Sequence, residues 1–198
     1  MENTMTEIKI VKLTPEYLDD YLYFFENVAH TDHKEWDRCY CVEYAGDANA
    51  GVDFSDAEKR REMAVRYIKE GVLQGYLAYH EGRLVGWCNA NRRADCTGCD
   101  GWRQTFGDYN PAAVGNVKSV FCFTVAPEMR CRGIAEMLLR RVLSDADTEG
   151  YDAVEGYPEK RDCDCYDAYV GPLHLYEKLG FARAEETETR YIMRKNLK

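Results

Sequence analysis

The sequence predicts an α/β domain with a mixed central β-sheet of about six to seven strands, flanked by about four helices. Two observations predict this fold. Short apolar runs that are typical of strands alternate with longer segments in which apolar residues recur at helical spacing. Their order is β-α-α-β-β-β-α-β-α-β-β, which favours an α/β architecture. No repeat, low-complexity tract or linker interrupts the pattern, so a single domain is expected over residues 1–198.

The first half of the chain supplies three strands and two helices. Pro15 at a first helical position, Ser55 or Asp56 as a helix cap and Gly71 as a helix end mark the helix boundaries. The predicted elements are a strand over 8–13, a helix from 15 to about 29, a helix from 55 or 56 to 71, and a β-hairpin over 74–80 and 83–90.

The second half begins with a long segment, 91–116, that is rich in Gly, Asp and Arg and is predicted as a loop. A buried type of strand follows over 117–125 and stops before Pro127. The remaining predicted elements are an amphipathic helix from 134 to about 146, a strand over 151–157, a short helix from about 172 to 179, and strands near 181–184 and 188–194.

Composition narrows the range of functions. The net charge of −9 and a pI near 5.0 argue against nucleic acid as a partner, because phosphate binding requires a cationic surface. We find no signal peptide and no apolar run long enough for a membrane helix, so we expect a cytoplasmic protein without a membrane partner. The nine cysteines should then be mostly reduced.

The segment after the strand over 117–125 has the features of a phosphate site. Arg130-Cys131-Arg132-Gly133-Ile134-Ala135 leads directly into the amphipathic helix. A helix N-terminus presents unpaired N–H groups and a partial positive charge, Gly133 allows close approach of the backbone, and the two arginines add charge-assisted contacts. The pattern predicts a diphosphate cradle, although a basic first turn before an ordinary core helix is the alternative.

Residues 125–135 resemble the coenzyme A-binding motif of the GNAT acyltransferase superfamily. About 40 residues later, Leu175-Tyr176-Glu177-Lys178-Leu179-Gly180-Phe181 is similar to the C-terminal motif of that family. The resemblance implies acetyl-CoA as co-substrate, held between two splayed parallel strands, here 117–125 and 151–157. It implies pantetheine contacts from the strand segment Phe123, Thr124 and Val125, and diphosphate contacts from the backbone of Arg130, Cys131, Arg132, Gly133, Ile134 and Ala135. A backbone N–H near Phe123–Val125 would polarise the thioester carbonyl.

Tyr176 occupies the position of the family's usual general acid, which protonates the departing thiolate. A phenol with an ordinary pKa near 10 is a suitable donor to a thiolate whose conjugate acid has a pKa near 8.5. The alternative is a packed aromatic residue with no catalytic role. Tyr169 stands where the family often has an Asn that contacts coenzyme A, so the pantetheine contacts in this region are an open question.

An amine acceptor must lose a proton, and Glu155 on the second splayed strand is the first candidate for the base. Asp152 and Tyr157 follow as candidates, and a structural role for Glu155 is the alternative. The linker after the first helix usually walls the acceptor pocket in this family, so Trp36 and Tyr40 are expected to line it. The long loop, with Trp102 and Phe106, would cover either the pocket or an oligomer interface.

The predicted function is therefore transfer of acetyl from acetyl-CoA to an amine by direct attack. The sequence does not identify the acceptor, which is a small molecule or a peptide. A homodimer is one candidate oligomeric state, because dimers are common in the family. A coenzyme A-binding sensor or interaction module without turnover is the rival function. An acyl-cysteine route through Cys122 or Cys131 is disfavoured, because neither has an adjacent His in sequence.

Three cysteine pairs at short spacing raise the question of a metal or a disulfide. These are Cys39-x-Cys41, Cys96-x-x-Cys99 and Cys163-x-Cys165. The second and third pairs should emerge at opposite ends of a parallel strand pair, which disfavours a shared site. We therefore expect free thiols and no metal, while bound metal or a redox disulfide stays an alternative.

Overall fold

In a computed structural model, the chain forms one seven-stranded mixed sheet. The structure describes residues 8–46, 49, 51–107, 115–161 and 169–198. The sheet has the order β1-β2-β3-β4-β5-β7-β6, and every neighbouring pair is antiparallel except β4 and β5. The strands are β1 Lys9–Lys12, β2 Gly75–His80, β3 Arg83–Arg92, β4 Val117–Val125, β5 Ala153–Gly156, β6 Ala182–Glu186 and β7 Tyr191–Asn196.

Five α-helices flank the sheet in the described part of the chain, one more than the sequence predicted. They are α1 Leu18–Asn27, α2 Ala57–Glu70, α3 Asp100–Phe106, α4 Ile134–Thr148 and α5 Leu173–Lys178. The predicted boundaries of α2 have clear causes. Asp56 caps its start by accepting the Glu58 N–H at 2.8 Å, and Gly71 ends it with a left-handed φ of 71°.

The predicted hairpin of β2 and β3 is present, and its turn residues Glu81 and Gly82 both have positive φ. Helices cover both faces of the sheet beside this hairpin. Trp87 meets Tyr21 of α1 edge-on, with ring centroids 5.0 Å apart. The neighbouring Gly86 faces α4, where an added Cβ would lie 3.0 Å from Ile134. None of the helices in the described ranges combines the length and apolarity needed to span a bilayer.

The segment predicted as a loop over 91–116 contains α3. This helix begins after Cys99, whose sulfur accepts the Trp102 N–H at 3.4 Å. Trp102 and Phe106 are buried against Phe121 and Tyr157, forming a small second core on the sheet. The prediction of a loop was wrong because only these two large apolar residues distinguish α3 from its polar surroundings.

Candidate active site

A gap opens between β4 and β5 because their pairing stops while β4 continues. The ladder runs from Val117 opposite Ala153 to Val120 opposite Gly156, the last residue of β5. A β-bulge lies at the same point, since Asn89 of β3 pairs with Cys122 and Ala90 pairs with Val120. Phe121 is therefore an extra residue, and bulges bend a strand and change its twist. The two parallel strands are splayed, as the family resemblance implied.

Backbone groups at the end of β4 face this gap. The Ala126 N–H bonds back to Val85 of β3, whereas the Phe123 N–H points the other way and reaches the carbonyl oxygen of Tyr169 at 2.5 Å. Because alternate residues of a strand point their N–H groups to opposite sides, the Val125 N–H faces the gap as well. The Val125 amide can donate to a ligand that takes the place of a neighbouring strand, and the Phe123 amide can do so once it is released from the Tyr169 carbonyl.

The gap leads into a cleft with a volume of about 400 Å³. Its walls come from the end of β4, the loop before α4, the start of α5 and the linker after α1. The lining residues include Phe123, Thr124, Val125, Arg130, Cys131, Gly133, Ile134, Ala135, Tyr169, Gly171, His30 and Trp36. Among the residues predicted for cofactor binding, Arg132 is exposed and does not belong to this lining.

The predicted diphosphate cradle has the backbone needed to bind an anion. Gly133 precedes α4 with a left-handed φ of 78°, and it has no side chain that could cap the first turn. An added Cβ would meet no protein atom within 4 Å, so it is the left-handed backbone conformation that requires glycine within the protein itself. The N-terminal amides of α4 therefore face the cleft without a side-chain cap, as an anion site requires.

Two ion pairs balance the charge around the cradle. The Arg130 guanidinium binds both carboxylate oxygens of Asp32 in the linker after α1, and its Nε donates to the Val125 carbonyl at 3.2 Å. The hydrogen bonds from Arg130 hold the pKa of Asp32 below its usual value. Glu136 in the first turn of α4 is neutralised by Lys178 at 2.6 Å and Arg140 at 2.8 Å.

Tyr176 is fully buried beside the splayed strands. Its ring lies against Gly156, where an added Cβ would come within 2.1 Å of the ring. Its hydroxyl donates to the Val170 carbonyl at 2.6 Å. Burial is the main cause that raises the pKa of Tyr176 well above its usual value, so the phenol stays protonated at neutral pH.

Tyr169 fills the opening of the gap on the linker side. Its carbonyl accepts the Phe123 N–H, and its ring meets Trp36 edge-on with centroids 6.2 Å apart. Its hydroxyl accepts a hydrogen bond from Arg190 at 3.4 Å. Tyr169, Val170 and Gly171 lead into α5 and pass over the end of β4. We call these three residues the strap.

Glu155, the predicted base, is completely buried within an ion-pair network. Arg93 contacts both carboxylate oxygens at 3.2 Å, and Arg194 approaches at 2.7 Å. The Tyr157 hydroxyl donates to the same carboxylate at 3.1 Å. Because two guanidinium groups and a phenol hydroxyl already engage this buried carboxylate, the geometry favours a structural role for Glu155. Asp152, the next candidate, pairs with Lys198 at the opposite end of β5.

The two predicted pocket residues occupy different environments. Trp36 lines the cleft and stacks on His33 with ring centroids 4.7 Å apart. Tyr40 is buried in the core against Phe25, and its hydroxyl donates to Glu26 at 3.1 Å. His30, in the linker after α1, lines the cleft beside Trp36.

The described cysteines are free thiols. Cys96 and Cys99 are buried, and their sulfur atoms interact with the Tyr44 carbonyl and the Trp102 N–H. Cys163 and Cys165 lie outside the described residues. No group of three or more metal-ligating side chains with suitable geometry occurs within the ranges that the structure covers.

Comparison with known proteins identifies the family. The model of the acetyltransferase (GNAT) domain matches residues 73–183, more than half of the chain and the part that contains the cradle and Tyr176. The chain belongs to the GNAT acetyltransferase family. No curated protein matches the sequence significantly.

Solved structures agree with this fold. An N-acetyltransferase from Staphylococcus aureus is 13% identical, with a TM-score of 0.54 over 97% of this chain and 99% of that chain. A GNAT-family acetyltransferase from Streptococcus pneumoniae is 16% identical, with a TM-score of 0.52 over 96% and 99%. The PaiA N-acetyltransferase from Thermoplasma acidophilum, solved in complex with coenzyme A, is 15% identical, with a TM-score of 0.54 over 96% and 99%. At these identities the likeness concerns the fold alone.

Proposed function

We propose that this protein transfers an acetyl group from acetyl-CoA to an amine, with Tyr176 as the general acid. The observation that supports this best is the gap beside the end of β4, where amides of Phe123 and Val125 face a cleft that ends at the N-terminus of α4. A strand-like pantetheine arm would fit the gap, and a diphosphate would fit the helix end. The relative solved with coenzyme A has the same fold, which supports the choice of donor.

In the proposed reaction, the amine nitrogen attacks the thioester carbonyl and the C–S bond breaks. Once the Phe123 N–H is released from the Tyr169 carbonyl, it stabilises the developing oxyanion. The Tyr176 hydroxyl, once movement of the strap releases it from the Val170 carbonyl, gives its proton to the departing thiolate, because burial keeps the phenol protonated. The amine would lose its proton to solvent or to a group of the linker, since Glu155 is held by two arginines.

The acceptor side favours a small, cationic or aromatic amine. Trp36 and His30 form the linker wall of the cleft, and aromatic faces attract ammonium groups. The net charge of −9 assists a cation further. We place the reaction in the cytoplasm, where acetyl-CoA is available.

Calorimetric titration with acetyl-CoA and with coenzyme A, followed by a thiol-release assay over a panel of amines, tests the proposal. We expect micromolar binding and thiol release that depends on the acceptor. Binding with no release from any amine would favour a coenzyme A sensor instead. Failure of both ligands to bind would contradict the proposal.

A further inference from the structure

The linker after α1 brings the imidazole of His30, which also lines the cleft, together with three thiols that the proposed acetyl transfer does not use. Cys39 Sγ lies 3.5 Å from Nε2 of His30. The Cys39 thiol also interacts with that of Cys41, which in turn interacts with Cys122 on β4. His30 and Cys122, which lie 9 and 83 positions from Cys39, thus join two cysteines that are separated by a single residue.

The two thiols of the Cys39-x-Cys41 pair have different environments. Cys39 is half-buried, whereas Cys41 is buried with only 5% of its surface exposed. The hydrogen bond from Cys41 and the contact with His30 lower the pKa of Cys39, while the interactions with Cys122 and Cys39 raise that of Cys41. Ionisation is therefore favoured at partly buried Cys39 over fully buried Cys41.

The backbone makes a tight turn at these two cysteines. Tyr40 and Cys41 both adopt left-handed φ values, of 51° and 48°, so the chain folds between the two cysteines. The Tyr40 carbonyl is held by the Tyr21 hydroxyl at 2.8 Å, and the Cys41 carbonyl accepts from Asn89 at 3.4 Å. Contacts with α1 and β3 thus fix the backbone turn that carries the two cysteines.

Of the two ring nitrogens of His30, Nε2 is the one placed to exchange a proton with Cys39. Its Nε2 contacts Cys39, while its buried Nδ1 has no hydrogen-bond partner among the described residues. The ring is positioned by Phe25 and Trp36, with centroids 6.1 and 6.0 Å away. An imidazole at this distance can donate a hydrogen bond to the sulfur and pass a proton to a leaving hydroxide.

We propose that Cys39 is a peroxide-reactive thiol, activated by His30 and resolved by Cys41. The Cys39 thiolate attacks one oxygen of hydrogen peroxide, the O–O bond breaks, and the hydroxide that leaves takes a proton from His30. Cys41 then attacks the sulfenic sulfur, an S–S bond forms and water departs. Two thiols are oxidised to one disulfide while one peroxide is reduced to two waters. In the disulfide, the Cys39 sulfur carries no negative charge. It can then no longer hold the His30 ring at the cleft wall as the thiolate does.

Peptide mapping of the full, reduced protein tests this proposal. The protein is treated briefly with hydrogen peroxide, alkylated with N-ethylmaleimide and digested with trypsin. Cleavage after Arg38 and Lys59 gives a peptide over 39–59 with Cys39 and Cys41 as its only cysteines. Exposed Cys131 and the two cysteines of peptide 162–178, Cys163 and Cys165, act as internal references. Cys122 lies in a separate peptide, 119–130.

We expect an internal disulfide in peptide 39–59 to form at least about tenfold faster than Cys131 oxidises, because an ordinary thiol is only a few per cent thiolate at neutral pH. Cys41→Ser should leave a sulfenic acid on Cys39 that dimedone labels, and His30→Gln should slow oxidation by about tenfold. Oxidation of Cys131 or of peptide 162–178 ahead of peptide 39–59 would overturn the proposal. A cross-link between peptides 39–59 and 119–130 in the wild type would overturn Cys41 as the resolving thiol. Circular dichroism of each variant shows whether it is folded.

Discussion

The amide nitrogen of Phe123 lies 2.5 Å from the carbonyl oxygen of Tyr169. This hydrogen bond occupies the N–H group that the proposed mechanism assigns to the thioester oxygen. The strap that contains Tyr169 must therefore move away from β4 before acetyl-CoA can be held in a reactive position. Binding should then take place in two steps, with opening of the strap limiting the rate at high ligand concentration.

Substitution of Gly171 tests this opening step. Gly171 has a φ of 82°, and an added Cβ would lie 3.1 Å from the Phe123 ring, so Gly171→Ala should destabilise the closed strap by about 1–2 kcal/mol. We expect the limiting rate of acetyl-CoA binding in stopped-flow experiments to rise by about 5–30-fold. Gly82→Ala is the matched control, because Gly82 has a φ of 77° in an open hairpin turn remote from the strap. A binding rate that stays linear in ligand concentration would contradict the two-step scheme.

Loss of the Tyr176 hydroxyl should lower the rate without unfolding the protein. Tyr176→Phe removes one hydrogen bond to the Val170 carbonyl, which costs about 1 kcal/mol of stability, and it removes the proposed acid, which is worth about 10²–10⁴ in kcat. Tyr21→Phe is a matched control, since the Tyr21 hydroxyl is also fully buried and also donates to a backbone carbonyl, that of Tyr40. The two variants should lose similar stability, and only Tyr176→Phe should lose turnover. Equal turnover in both would remove Tyr176 from the mechanism.

The Asp32–Arg130 pair links the linker to the phosphate cradle. Because the pair is partly exposed, its contribution is at most about 1 kcal/mol, and Asp32→Asn should tighten acetyl-CoA binding by up to about fivefold by freeing the guanidinium. Arg130→Gln should weaken binding by about tenfold, through loss of a charge-assisted hydrogen bond to phosphate. Calorimetric titration measures both effects. Glu35→Gln, which alters an exposed carboxylate of the same linker, should leave the affinity unchanged.

Buried tyrosines predict how stability responds to alkaline pH. Burial is the main cause that raises the pKa of Tyr21, Tyr157 and Tyr176 well above the usual value near 10. Above pH 10 the unfolded chain releases these protons while the folded chain retains them. Their stabilisation is complete below about pH 10 and is lost above it, by about 1.4 kcal/mol per pH unit for each tyrosine. Urea unfolding at a series of pH values should show this decline, and a flat profile to pH 11 would contradict it.

Features with local causes could be predicted from the sequence. Pro127 ends β4, Gly133 precedes α4, and Asp56 and Gly71 bound α2, because caps and breakers act within a few residues of themselves. The family resemblance placed the cleft, since it supplied the pairing of strands that the residues alone do not give. The bulge at Phe121 was not predicted, because it appears only when β3 and β4 are in register.

Contacts between distant residues could not be predicted. Arg93 and Glu155 are 62 positions apart, and Asp32 and Arg130 are 98 positions apart. Each pair forms only because the fold brings two distant elements together. The residues beside each partner in sequence give no sign of the contact. The same reason explains why Glu155 looked like a candidate base. Its place on β5 was predictable, whereas the two guanidinium groups that hold it were not.

Neutralising Glu155 distinguishes a structural role from a catalytic one. Glu155→Gln removes the buried carboxylate that Arg93 and Arg194 share, and breaking a buried ion pair costs about 3–5 kcal/mol. We therefore expect a large fall in the free energy of unfolding and little change in kcat per folded molecule. Glu186→Gln, in the exposed pair with Lys160, should cost less than about 1 kcal/mol. A stable Glu155→Gln protein whose kcat has fallen and no longer rises with pH would instead show that Glu155 accepts the proton of the amine.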